Sequence, residues 1–174
     1  MPDPRATSSP RLVLGSTSRY RRELLERLRL PFDVQSPPVD ETPLAGEAPA
    51  ALAQRLALAK ARAVAGSSDA DWVVIGSDQV ADVDGEPIGK PGTHERAVAQ
   101  LPRMSGRAIV FQTAVAVVRA RTGFEQVRLA PVRVQFRALN DDEIEHYLRL
   151  EQPYDCAGSA KSETLGIARL SAIE

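Results

Sequence analysis

Cysteine, histidine and aromatic residues are scarce in this chain, and each shortage excludes a class of protein. Cys156 is the only cysteine, so no disulfide can form within the chain, as is typical of the reducing cytoplasm. The only histidines, His94 and His146, lie far apart, which argues against a histidine-based zinc site. Aromatic residues amount to 5%, and the sequence has no platform of aromatic and basic side chains for nucleic acid.

Long apolar runs and an excess of one charge are absent as well. No apolar stretch is long enough to span a bilayer, and residues 1–10 lack the apolar centre of a signal peptide, so we expect a cytoplasmic protein without a membrane partner. The formal net charge of -1 argues against a protein that binds nucleic acid stably. The 174 residues suffice for one domain with a core, which we expect over residues 11–174 after a flexible tail of residues 1–10.

The first predicted strand, residues 12–15, leads through a turn of hydroxyl residues into a helix rich in arginine. Ser16 and Ser18 belong to the turn, and Arg21 and Arg22 to the start of the helix, where basic side chains oppose the helix dipole. A bound phosphate chain would explain them, because helix N-termini and guanidinium groups both bind anions. A serine-capped helix with a solvated basic face explains the same residues equally well.

Two carboxylates lie in positions that suit chemistry on a phosphate. Glu41 is in a proline-rich loop, residues 37–43, where it is either solvated or has a role with metal or phosphate. The apolar run of residues 72–76 predicts a central strand, and Asp78 follows just beyond its carboxyl end, where functional residues gather in open α/β sheets. Burying an aspartate without a partner is expensive, so this position favours a functional role for Asp78.

Further cations lie on a predicted helix and in two later loops. Residues 49–65 predict a helix with Leu52, Leu56, Ala59 and Ala63 on its apolar face. Lys60 lies at the flank of that face, either as a surface residue with a buried stem or as a cation directed into a pocket. Two further lysines are Lys90, which follows a predicted hairpin of residues 80–88 that turns at Asp84 and Gly85, and Lys161, which lies in a polar loop that also contains Glu163.

The order of elements predicts the fold class. After residue 92 we expect a helix over 93–104, strands over 108–120 and 124–136, and a final strand over 164–173. Between them we expect a helix from about 140 to 150, because Asn140 and Glu143 have the spacing of a capping box. Strands and helices alternate at first and long neighbouring strands follow. This order predicts a single α/β domain with a mixed sheet flanked by helices.

The combined set of cations and carboxylates suits a polyphosphate ligand with a divalent metal ion. Cations and metal would neutralise phosphate oxygens, while carboxylates would hold the metal or activate water. The better-known glycine-rich nucleotide loops and the nucleophile elbow of serine hydrolases are missing from the sequence. The residues alone therefore suggest phosphate chemistry without a common fingerprint.

Several stretches together resemble the motifs of the Maf family of nucleoside-triphosphate pyrophosphatases. They are STSRYRRELL at residues 16–25, VDETP at 39–43, GSDQV at 76–80, GKP at 89–91 and CAGSAKSE at 156–163. The resemblance runs from about residue 12 to the end of the chain. Tyr20, Gln79 and Glu163 are similar to the branch that acts on 7-methyl-GTP, whereas branches acting on dTTP and UTP usually have arginine and glutamine in place of Tyr20 and Glu163.

The resemblance implies an elongated, twisted sheet and an enzyme that hydrolyses the α–β phosphoanhydride of a nucleoside triphosphate. The products are a nucleoside monophosphate and pyrophosphate, and the cofactor is a divalent cation such as Mg²⁺ or Mn²⁺. Asp78 would accept the proton of the attacking water, bind metal, or do both, and Glu41 would help to hold the metal. The triphosphate would contact Ser16, Ser18, Arg21, Lys60, Lys90 and Lys161, with Arg22 as a further candidate, and the base would contact Tyr20, Gln79 and Glu163.

The chain departs from the family pattern in three places. Arg19 stands where proline is usual, Ala114 stands where glycine is common, and the sequence stops at Glu174, before the family's usual C-terminal segment. We expect the lack of that segment to weaken the site. The alternatives are hydrolysis of dTTP, UTP or other modified nucleotides, and a non-catalytic nucleotide-binding regulator of cell division. The family also implies removal of modified nucleotides from the pool, and a homodimer.

Overall fold

A computed structural model of the protein describes residues 9–160 and 165–174. The predictions for Lys161 and Glu163, and for most of the tail of residues 1–10, therefore lie outside the described residues. In the described part of the chain, no helix has both the length and the apolar character that a membrane crossing requires.

Strands and helices together confirm the predicted α/β class. The α-helices are α1 (Arg19–Glu26), α2 (Pro49–Ala65), α3 (His94–Met104) and α4 (Asp141–Glu151). The strands are β1 (Arg11–Gly15), β2 (Phe32–Gln35), β3 (Trp72–Val83), β4 (Glu86–Ile88), β5 (Ala108–Arg119), β6 (Phe124–Phe136) and β7 (Leu170–Ile173). They form one mixed sheet in the order β2-β1-β3-β5-β6-β7, with β4 paired to β3.

Contacts within the chain group into two compact units. The first consists of Met1–Glu41, Arg55–Ser77 and Val115–Arg128, and the second of Thr42–Gln54, Asp78–Ala114 and Leu129–Glu174. Helix α2 and strands β3, β5 and β6 each have residues in both units.

The first unit is built on strand β1 and its two parallel neighbours, β2 and the first half of β3. Gly15 at the end of β1 pairs with Gln35 of β2 and with Gly76 of β3. Helix α2 packs against these strands so closely that a Cβ atom at Gly76 would lie 2.3 Å from the Ala57 carbonyl oxygen. Glycine at this position is therefore a requirement of the packing.

The second unit encloses an apolar core between its strands and the helices α3 and α4. Leu101, Met104, Phe136, Tyr147 and Leu148 are almost entirely buried in it. Two predictions made from local signals are confirmed in this unit. The hairpin turns at residues 84–85 with positive φ angles, and α4 begins with a reciprocal capping box of residues 140 and 143.

Two predicted strands differ from the structure. Strand β3 continues past Gly76 to Val83, because its second half pairs with β4 at residues 81–83, so Asp78 lies within the strand and not beyond its end. The final strand predicted over residues 164–173 is shorter. Leu165–Arg169 form a 3₁₀-helix, and the strand that pairs with β6 begins at Leu170.

Candidate active site

The turn between β1 and α1, in the first unit, is held by hydroxyl groups and by one arginine. Ser18 caps α1, and its Oγ accepts a hydrogen bond from the Arg21 backbone N–H, while the Ser18 N–H donates to the Ser16 Oγ at 3.2 Å. The Arg21 Nη1 also donates to the buried Ser16 Oγ, at 3.3 Å. Arg21 therefore folds back over the turn, next to the N–H groups that a helix N-terminus offers to an anion.

The neighbouring basic residues of α1 have different surroundings. The side chain of Arg22 is 61% exposed, and its Nε lies 3.0 Å from the Glu26 Oε1, one helical turn later. Arg19 pairs in the same way with Glu23, and its guanidinium carbon lies 5.3 Å from the centre of the Tyr20 ring. The structure thus brings Arg21 to the turn and places Arg22 in a surface ion pair. For Arg22 this is the solvated basic face that the sequence analysis gave as the alternative to phosphate binding.

Lys60 is a buried cation on α2 in the first unit. Its side chain is only 5% exposed, and its Nζ lies 2.6 Å from the Oε1 of Glu41, whose side chain is 51% exposed. The Lys60 carbonyl oxygen would be 3.4 Å from a Cβ atom at Gly15, so α2 passes the end of β1 at this residue. Lys60, Ser16 and Arg21 therefore all lie at or next to the carboxyl end of β1.

The position of Lys60 corrects the prediction that it flanks the apolar face of α2. Leu56, Ala57, Lys60 and Ala61 are all buried, whereas Ala59 and Ala63, which were predicted on the apolar face, are only half-buried. The small Ala57 and Ala61 side chains allow the close approach of α2 to Gly76, and this approach sets which face of the helix is covered. A lysine inside that face needs an anionic partner, which Glu41 provides.

Asp78 and Gln79 are adjacent on β3 at the beginning of the second unit. Asp78 is 7% exposed, whereas Gln79 is exposed and its Nε2 donates to the Thr113 Oγ1 at 2.8 Å. Successive side chains of a strand point to opposite faces of the sheet. The predicted catalytic acid and the predicted base-reading amide therefore leave the strand on opposite faces.

The loop that carries Lys90 is fixed on both sides, although Lys90 itself is exposed. The Gly89 carbonyl oxygen accepts hydrogen bonds from the Gly158 N–H and from the side chain of Gln100. After Lys90, Pro91 is buried and the Gly92 N–H donates to the Tyr154 carbonyl oxygen at 3.0 Å. This loop is thus joined to the segment that leads toward Lys161, within the second unit.

Residues 153–160 form the segment to which the Lys90 loop is joined. The Tyr154 hydroxyl lies 3.0 Å from the His94 Nδ1, and the His94 Nε2 lies 2.9 Å from the Glu145 Oε2. The hydrogen bond to His94 holds the pKa of the Glu145 carboxyl below its ordinary value. Ala157–Ser159 then form a 3₁₀ turn in which Gly158 and Ser159 both have positive φ.

Gln100 and Ser159 form a side-chain contact beside the Lys90 loop that the sequence analysis did not predict. The Ser159 Oγ donates to the Gln100 Oε1 at 2.8 Å, and the Gln100 Nε2 donates to the Gly89 carbonyl oxygen at 3.3 Å. A signal was present, because Gln100 occupies a position on the apolar stripe of α3, with Ala97, Leu101 and Met104. A polar residue at such spacing indicates a specific hydrogen-bonding partner.

The described residues offer oxygen ligands for a divalent metal but no preformed cage. Within residues 9–160 and 165–174, no three histidine, cysteine, aspartate or glutamate side chains gather as a metal site. Mg²⁺ in nucleotide enzymes is commonly bound by one or two carboxylates together with substrate phosphates and water. Glu41, in the first unit, and Asp78, in the second, each offer carboxylate oxygens of the kind that Mg²⁺ binds.

A serine- and arginine-lined turn at a helix N-terminus, with a buried lysine beside it, is an arrangement that α/β proteins use to bind phosphate. The model of the family described as Maf-like protein matches residues 11–174, and the chain belongs to this family. The resemblance drawn from the motifs is thereby confirmed.

Individual relatives and one solved structure complete the comparison. The chain is 71% identical to a 7-methyl-GTP pyrophosphatase of Polaromonas sp., over 97% of this chain and 76% of the relative. It is 64% identical to a 7-methyl-GTP pyrophosphatase of Albidiferax ferrireducens, over 94% of this chain and 82% of the relative. A solved nucleoside-triphosphatase, a dITP/XTP pyrophosphatase of Mycobacterium abscessus, matches with a TM-score of 0.47 and 20% identity, over 72% of this chain and 74% of its own.

Proposed function

We propose that this protein is a nucleoside-triphosphate pyrophosphatase that hydrolyses 7-methyl-GTP to 7-methyl-GMP and pyrophosphate. The observation that carries the reaction class is the buried Lys60 at the strand ends of the first unit, beside the turn that holds Ser16 and Arg21. Support for the substrate comes from relatives at 71% and 64% identity that carry this name.

In this proposal, the first unit binds the phosphate chain. Lys60 and Arg21 supply positive charge, and Ser16, Ser18 and the N-terminus of α1 supply hydrogen bonds to phosphate oxygens. Lys90 and Lys161 add charge from the second unit. Arg22 contributes least, because its exposed guanidinium is already paired with Glu26.

Hydrolysis needs a base that takes a proton from the attacking water. The new bond joins the water oxygen to a phosphorus of the α–β anhydride, and the bond from that phosphorus to the bridging oxygen breaks. We assign Asp78 as the proton acceptor, because it is a nearly buried carboxylate in the motif that resembles the family's catalytic one. A divalent cation such as Mg²⁺ or Mn²⁺, when bound, would neutralise charge on the phosphate oxygens, with Glu41 and Asp78 as its protein ligands.

Selectivity for the base rests on Tyr20, Gln79 and Glu163. 7-Methylguanine carries a positive charge, and the face of an aromatic ring attracts a flat cation, as the Arg19 guanidinium near the Tyr20 ring illustrates in this chain. A carboxylate at position 163 suits the N–H edge of guanine. We also propose a cytoplasmic homodimer that removes modified nucleotides from the pool.

A panel of 7-methyl-GTP, GTP, dTTP and UTP with Mg²⁺, assayed by pyrophosphate release, tests the proposal. We expect 7-methyl-GTP to be the preferred substrate and Asp78→Asn to lower kcat by at least about a hundredfold. Asp82→Asn is the matched control, because Asp82 lies on the same strand and accepts from the Gly85 N–H, a hydrogen bond that an asparagine oxygen keeps.

Each rival function predicts a different result from the same panel. A preference for dTTP or UTP would support hydrolysis of other nucleotides. Tight binding of a triphosphate without turnover, unaffected by Asp78→Asn, would support the regulatory role and contradict the enzyme. Equal losses in Asp78→Asn and Asp82→Asn would remove the special role assigned to Asp78.

A further inference from the structure

Gln100 connects two loops of the second unit through the two ends of one amide group. Its Nε2 donates to the carbonyl oxygen of Gly89, the residue before Lys90, at 3.3 Å, and its Oε1 accepts from the Ser159 hydroxyl at 2.8 Å. Two backbone hydrogen bonds also join these loops, from the Gly158 N–H to the Gly89 carbonyl oxygen and from the Gly92 N–H to the Tyr154 carbonyl oxygen. Gln100 itself lies on α3, so the bridge ties both loops to a helix of the core.

The orientation of this amide is determined by its surroundings. The Gly89 carbonyl can only accept, so it requires the NH₂ end of the Gln100 side chain. The amide oxygen then faces Ser159, a residue with a φ of 54°. Because Ser159 is 0% exposed, its buried hydroxyl needs an acceptor. Glutamate or methionine at position 100 would match the shape of the side chain without reproducing both hydrogen bonds.

We propose that Gln100 is a positioning residue for Lys90 and for the turn of residues 157–159. The inference rests on the proposed function, in which Lys90 contacts the phosphates. Lys90 is exposed, so the place of its ammonium group depends on how firmly the backbone of Gly89 is held. Gln100 supplies the side-chain part of that hold and touches no substrate itself.

Two substitutions separate positioning from packing. Gln100→Met keeps the volume and removes both hydrogen bonds, and we expect KM for the triphosphate to rise about tenfold with a much smaller change in kcat. Gln100→Glu keeps the acceptor for Ser159 but places a carboxylate against the Gly89 carbonyl. Because a protonated carboxyl can donate, we expect its KM, relative to wild type at each pH, to recover as the pH falls toward about 5.

Gln126→Met and Gln126→Glu are the matched controls, since Gln126 is exposed on β6. They should leave KM unchanged. Thermal melts report whether each variant folds. If Gln100→Met does not fold, the two single variants Gln100→Glu and Ser159→Gly carry the test. Glycine at position 159 accepts the positive φ and removes the hydroxyl.

Hydrogen–deuterium exchange provides a readout that does not depend on catalysis. We expect Gln100→Met to speed exchange of the Gly92 and Gly158 amides while the core strands β3 and β5 keep their protection. Unchanged exchange in both loops, or a loss of kcat with KM intact, would overturn the proposal. Faster loop exchange in Gln100→Met, together with a wild-type protein that hydrolyses no triphosphate, would instead uphold the bridge and contradict the proposed function.

Discussion

The two units hold their proposed ligand-binding groups in opposite ways. In the first unit, the charged group is itself part of the packing, because the Lys60 ammonium is buried beside a strand end and paired with Glu41. In the second unit, Lys90 is exposed and neutral groups hold its loop, namely backbone N–H groups and the amide of Gln100. A charge that is built into the fold affects stability and affinity together, whereas a charge mounted on a neutral scaffold affects affinity alone.

The largest effect is expected when one glycine is replaced in each unit and the losses of stability are compared. Gly76→Ala would place a Cβ atom 2.3 Å from the Ala57 carbonyl oxygen and 2.7 Å from the Ala61 nitrogen, so helix α2 must move away. We expect a loss of about 3 kcal/mol or more in the free energy of unfolding, measured in urea.

Gly158→Ala is the counterpart in the second unit. Its φ of 63° is unfavourable for alanine, but the nearest atoms, 3.2 Å away, include the Met104 sulfur, which can shift. We expect a loss of about 1–2 kcal/mol. A variant Gly76→Ala as stable as Gly158→Ala would show that α2 is not held tightly against β3.

The next test compares two cations of the first unit. Lys60→Met should lower kcat/KM for the triphosphate about a hundredfold at low and at high ionic strength, because a buried charge interacts strongly with phosphate and is little screened by salt. Arg22→Met should cost no more than about threefold, since Arg22 is exposed and paired with Glu26. Steady-state kinetics at two ionic strengths measure both, and equal losses would contradict the distinction between buried and exposed charge.

The smallest effect is expected when the pH is lowered and the free energy of unfolding is measured. The Arg119 guanidinium donates two hydrogen bonds to Asp71, at 2.9 and 2.7 Å, and holds the pKa of that carboxyl below its ordinary value. A carboxyl whose pKa is lowered in the folded state contributes its full stabilisation at any pH above its unfolded-state pKa. This contribution is lost as the pH falls through the folded-state pKa.

The difference in unfolding free energy between wild type and Asp71→Asn should therefore be constant near neutral pH and shrink below about pH 4. Urea unfolding across a pH series measures it. Asp69→Asn, at an exposed position nearby, is the control. A difference that persists at the lowest pH would mean that charge is not what links Asp71 to Arg119.

Local signals in the sequence predicted the parts of this structure that local chemistry decides. The Asp84–Gly85 turn needs residues that tolerate positive φ, and Asn140 with Glu143 at the start of a helix forms a capping box without help from the rest of the chain. The hydroxyl-lined turn around Ser16 belongs to the same class. These features required only neighbours in the sequence.

Features that depend on distant partners were missed or misplaced. Ser77, Asp78 and Gln79 have the composition of a turn, but β4 supplies the partner that continues β3 beyond them. Which face of α2 is buried depends on its close contact with Gly76, so the helical wheel placed Lys60 at the edge of that face. No pattern within α2 alone contains this information.

The ion pair between Lys60 and Glu41 also has a thermodynamic consequence. An anion that reaches the Lys60 ammonium has to compete with a carboxylate that already lies 2.6 Å away. A cation bound to Glu41 would relieve that competition, and by linkage the anion would raise the affinity for the cation by the same factor. Phosphate and divalent metal would then bind cooperatively through a single exchange of partners, even if they never touched.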